Sequence, residues 1–184
     1  HDPERLVALT WPALVAGAGQ LAWVLLARAG QLIGTGVALG VTLVALCLVV
    51  WRLAKFASPA GVERLATDLG WGAALGWVCV ELLLFSSIVF EHYELFDDDR
   101  AYFIAAIISL CVFIAGALGL AGRMYRQLAV GPVLTWGSVW IGWERLVGEP
   151  RSYILGALAM FGAFLVLAAF YASSRRRRRN VLGL

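Results

Sequence analysis

Apolar runs of about twenty residues, separated by short polar breaks, set the pattern of this chain. The runs cover residues 6–27, 32–54, 71–90, 101–121 and 153–172. A sixth, at 128–147, is interrupted by Pro132, Gly131, Gly137, Gly142 and the pair Glu144–Arg145. Its apolar part is about 16 residues, short for a span. At 1.5 Å per helical residue, twenty residues reach across the roughly 30 Å of a bilayer's hydrocarbon core. The pattern predicts an all-α, polytopic membrane bundle of about six transmembrane helices. These form one domain over residues 1–184, with 173–184 as a basic tail. Residues 6–27 exceed a signal-peptide core, and no small-residue cleavage site followed by a polar domain appears, so a retained helix is expected.

Residues 58–69 differ in character. Ser58 suits a helix cap and Pro59 its first position. Val62, Leu65 and Leu69 share one face, while Glu63, Arg64 and Asp68 point elsewhere. This predicts a short amphipathic helix in the membrane interface. Two G-x-x-x-G pairs, Gly36/Gly40 and Gly72/Gly76, predict close helix–helix contacts and would also suit a homo-oligomer.

Composition agrees with lipid as the solvent. The chain is 61% hydrophobic and 15% charged, with a mean hydropathy of +0.82, against about 25% charged residues in a soluble domain. The net charge of +3 rests on Arg175 to Arg179. A basic tail abutting a membrane helix reads as a topology and headgroup signal, not as nucleic-acid binding. With six spans, eleven of the 15 Lys and Arg residues fall on one side together with both termini. The positive-inside rule then predicts both termini in the cytoplasm, and the expected location is the plasma membrane. Cys47, Cys79 and Cys111 lie inside apolar runs without a C-x-x-C spacing, so free thiols packed as small apolar groups are expected.

Three features carry candidate chemistry. Glu81 is the single charge in the run 71–90, and it sits near the run's midpoint. A carboxyl at that depth is costly and usually faces a bundle interior or a wet cavity, where it binds a cation, carries a proton or pairs with a substrate ammonium. The structural alternative is a carboxyl that hydrogen-bonds Gln20, Thr42 or Ser109, or faces another subunit. The second feature is tryptophan. Of eight, Trp11, Trp23, Trp51, Trp71 and Trp143 lie near predicted helix ends, as an aromatic belt requires. Trp77, Trp136 and Trp140 do not. Trp136, Trp140 and Trp143 form a stripe at i, i+4 and i+7. Such a stripe packs or faces lipid, or lines a ligand site beside a carboxylate. The expected ligand-binding set is Glu81, Trp77, Trp136, Trp140 and Gln20.

The third feature is the acidic loop Glu91, His92, Glu94, Asp97, Asp98 and Asp99. Its oxygens suit a divalent cation and His92 adds a softer ligand. The spacing fits no EF-hand, and a solvated loop that sets topology is the simpler reading. Tryptophan richness and small size invite comparison with the tryptophan-rich translocator/sensory proteins, whose first helix carries Lys-Pro-x-Trp followed by paired prolines. Here Thr10-Trp11-Pro12-Ala13 stands in the first run and neither feature follows, so the residues assign no family. The substrate-binding subunits of energy-coupling-factor vitamin transporters share the size and span count, but no motif.

Nothing in the chain points to an enzyme. Two histidines, one of them His1, leave no bis-His pair for a haem, and no Ser-His-Asp set or phosphate-binding loop is readable. The first expectation is a small transporter or ligand-binding transport component, anchored on Glu81, whose partners are membrane lipid and a small molecule or ion. The second is an accessory subunit of a larger membrane complex. The third is a cation channel with Glu81 and the acidic loop concentrating cations.

Overall fold

In lipid every backbone N–H and C=O must be paired within the protein, so long apolar runs close into helices. The computed structural model describes residues 3–55, 65–96, 98–123, 129–149 and 151–182. It is all-helical there: α1 (Pro3–Arg28), α2 (Leu32–Lys55), α3 (Gly70–His92), α4 (Asp99–Arg123), α5 (Val130–Val147) and α6 (Tyr153–Leu182). Among the described residues, five helices are long and apolar enough to cross a membrane, by length and composition. The sixth, α5, falls outside that set because its 18 residues include Glu144 and Arg145. It nevertheless packs along its neighbour α6 over nearly its own whole length, from Gly131 against Phe170 to Leu146 against Gly156.

Two boundaries differ from expectation. Residues 58–64 of the expected interfacial helix lie outside the described residues. Leu65–Leu69 is a π-helical turn that leads straight into α3. Asp68, assigned by pattern to a polar face, is only 6% exposed. It sits ahead of the α3 N-terminus, where the helix dipole favours a carboxylate. At the other end, α6 continues through the arginine run to Leu182, since arginine is a good helix former and cations suit a helix C-terminus.

Small residues decide which helices meet. Gly30, at φ +71, makes the left-handed turn that folds α1 back on α2. Along that hairpin Gly19 lies against Thr42. Gly36 on α2 receives the ring of Phe85 on α3, and Gly76 on α3 faces Val133 and the Val130 carbonyl on α5. Gly137 on α5 lies against Val80, so α3 and α5 run parallel. Gly162 on α6 receives Ile114 of α4. The pair Gly36/Gly40 does not work as a symmetric contact, because a Cβ at Gly40 would meet nothing within 4 Å. The core gathers where α2, α3, α5 and α6 converge, on Leu46, Val50, Leu75, Val78, Leu134 and Val166.

Candidate functional site

Glu81 lies midway along α3, on the side that turns toward the α1–α2 hairpin. It lines a cavity of about 330 Å³ with Trp23 of α1, Thr35 and Leu39 of α2, and Phe85 and Ile88 of its own helix. The α3 members follow from spacing: Phe85 and Ile88 stand four and seven residues after Glu81, on the same helical face. The wall is otherwise apolar except at Thr35, whose hydroxyl donates to the Gln31 carbonyl at 2.9 Å.

One turn before Glu81, the Trp77 side chain is a polar neighbour of its carboxyl. The carboxyl oxygen Oε2 is buried and has no hydrogen-bond partner among the described residues. The partners expected on structural grounds are engaged elsewhere. The Thr42 hydroxyl donates to the Ala38 carbonyl at 2.7 Å. Gln20 accepts from the Trp23 indole N–H at 2.8 Å. Ser109 lines a separate apolar cavity of about 760 Å³ between α2, α3 and α4, together with Cys47 and Cys79. All three cysteines are free. The hydroxyl of Thr135 on α5 is a second buried oxygen without a partner among the described residues. The sequence offered no sign of it, since an isolated threonine in a helix ordinarily bonds its own backbone.

The tryptophans form a ladder rather than a cavity wall. The rings of Trp77 and Trp136 stack at 5.8 Å between centroids with 30° between planes, and Trp136 and Trp140 at 6.3 Å with 23°. All three are about half exposed along the outer face of α3 and α5. They do not line the Glu81 cavity. Trp77 joins the two features: its ring begins the ladder and it neighbours the Glu81 carboxyl. Gln20 is likewise one step removed, reaching the cavity only through Trp23. The aromatic residue that does line the cavity, Trp23, was assigned by pattern to the interfacial belt. Because each stacked pair contributes about 1 kcal/mol, Trp136→Leu should lower stability by about 1–2 kcal/mol. Thermal unfolding in detergent, with near-ultraviolet circular dichroism to follow the stacked indoles, checks this.

The acidic loop is spent largely on helix ends. Asp98 accepts from the Arg100 backbone N–H at 3.1 Å, and Asp99 is the first residue of α4, both favourable at a helix N-terminus. Glu91 and His92 close α3, and Glu94 takes the left-handed conformation at φ 45. Among the described residues no three His, Cys, Asp or Glu side chains gather into a group that could hold a metal ion. Asp97 lies outside the described residues.

Comparison with known proteins places this helical bundle in context. A family described as TSPO-like protein matches residues 1–172. No curated protein and no solved structure gives a match.

Proposed function

The chain belongs to the TSPO-like protein family, and from that premise we propose that this multi-pass membrane protein binds and transports a small, largely apolar molecule bearing a positive charge or a hydrogen-bond donor. The observation that carries the reading is Glu81 Oε2, buried and unpartnered beside a cavity with apolar walls. An unsatisfied buried acceptor costs about 1–3 kcal/mol. A ligand that donates to it recovers that cost, so a cationic or N–H-bearing group is preferred over a hydrocarbon. The cavity of about 330 Å³ is at the small end of the range ligand sites occupy. Trp23 and Phe85 line the same cavity and offer aromatic faces to a cation. The asymmetry of basic residues supports an orientation with both termini in the cytoplasm.

Native mass spectrometry of protein gently solubilised from its own membrane tests the reading. Wild-type protein should release a bound small molecule on activation, and Glu81→Gln should carry none while remaining folded. A defined partner protein with no small molecule would overturn the proposal in favour of an accessory subunit.

A further inference from the structure

A third cavity, of about 630 Å³, opens on the outer side of the α1–α2 hairpin, between Pro12 and Val15 on one helix and Gly40, Val41, Val44 and Arg52 on the other. Its shape comes from two residues. Gly40 contributes no side chain, and a Cβ there would meet nothing within 4 Å. Pro12, inside α1, has no N–H, so the carbonyl of Ala8 one turn earlier loses its helical donor. Arg52 Nη1 donates to that carbonyl instead. This bond ties the guanidinium to the groove and leaves its other N–H groups free of partners among the described residues.

Among the described residues, Arg52 is the one charged residue lining the groove, and no carboxylate lines it. Trp11 and Trp51 are exposed at the same end of the hairpin, where amphipathic rings mark the headgroup level. Lys55 lies over the Trp51 ring, 3.4 Å from its centroid, and adds a second positive charge there. From Arg52 the lining runs along α2 to Val37, about 22 Å at 1.5 Å per residue. One leaflet's hydrocarbon is about 15 Å deep. We propose that this groove holds one anionic phospholipid, with an acyl chain lying over Gly40 and the headgroup phosphate on Arg52. The planar guanidinium suits a phosphate through paired N–H donors. The net positive charge favours phosphatidylglycerol over zwitterionic phosphatidylcholine.

The test uses the full chain reconstituted in vesicles of equal phosphatidylglycerol and phosphatidylcholine with identical acyl chains, then stripped with excess detergent. Native mass spectrometry reads the lipid that remains. Wild-type protein should keep one phosphatidylglycerol in about tenfold preference, because phosphatidylcholine sets a quaternary ammonium beside Arg52 and Lys55 while sharing the same phosphate. Arg52→Gln should erase the preference. Gly40→Leu, which fills the groove without a clash, should release the lipid while the fold stands. Should Arg52→Gln fail to fold, Gly40→Leu decides alone. Equal retention of the two lipids by wild-type protein, or full retention of phosphatidylglycerol by Gly40→Leu, would overturn the assignment.

Discussion

Glu81→Met should make the protein harder to unfold and, at the same time, abolish ligand retention. The two effects have one origin. Methionine is unbranched and of similar length, so it fills the same space beside Phe85 and Ile88. It removes the buried oxygen that has no partner, a relief of about 1–3 kcal/mol. It also gives up the polar contact with Trp77, worth at most about 1 kcal/mol. The net expectation is a gain of about 1 kcal/mol, seen as a higher midpoint of thermal unfolding in detergent. Ligand affinity should fall by about 10- to 100-fold, because a hydrogen bond to a charged group contributes about 1.5–3 kcal/mol. Glu81→Gln keeps an acceptor for Trp77 and should lose affinity without the gain in stability. The opposite pattern, a less stable Glu81→Met that still holds its ligand, would mean that Glu81 serves the fold. A stability cost accepted at a cavity is the signature of a functional group.

Gly142→Leu should have the larger effect on the fold. A Cβ at Gly142 would lie 2.9 Å from Met160 Cγ and 3.2 Å from the Gly156 carbonyl oxygen. Reciprocally, a Cβ at Gly156 would lie 3.1 Å from the Gly142 carbonyl oxygen. The two helix backbones therefore touch, and neither can retreat by changing a rotamer. Such close approach is what holds membrane helices together when apolar burial offers little. Overpacking of this kind costs about 3 kcal/mol. The α5 helix should loosen from α6, carrying Trp136 and Trp140 off the Trp77 ring. Thermal unfolding and limited proteolysis of the 148–152 connection measure this. Gly17, where a Cβ meets nothing within 4 Å, supplies the control. Gly17→Leu should be neutral or slightly stabilising, since leucine is the better helix former. An equal loss at both positions would show that glycine content, not the α5–α6 contact, sets stability.

Much of this was legible in the residues because lipid leaves the backbone few choices. An apolar run of about twenty residues has to be a helix, so the helices were readable as elements. Their ends were not, because polar residues such as Arg175 to Arg179 continue a helix as readily as they end one. Glu81 was readable as a candidate for the same reason: one carboxyl in an apolar run needs an explanation. The family was harder to read. One missing first-helix motif at Thr10 to Ala13 withheld an assignment that a match along residues 1–172 carries.

What the sequence determined by itself is the helical class, the lipid solvent and the one costly group within it, since these depend on local composition and period. Tertiary structure decided the neighbours. It turned Glu81 toward Trp23 and Thr35 instead of Trp136 and Trp140, stacked the tryptophans on the outer face, and gave the Ala8 carbonyl to Arg52. Those outcomes rest on which helices lie side by side. That order is set by glycines meeting particular side chains across the bundle, which no spacing along one helix reveals.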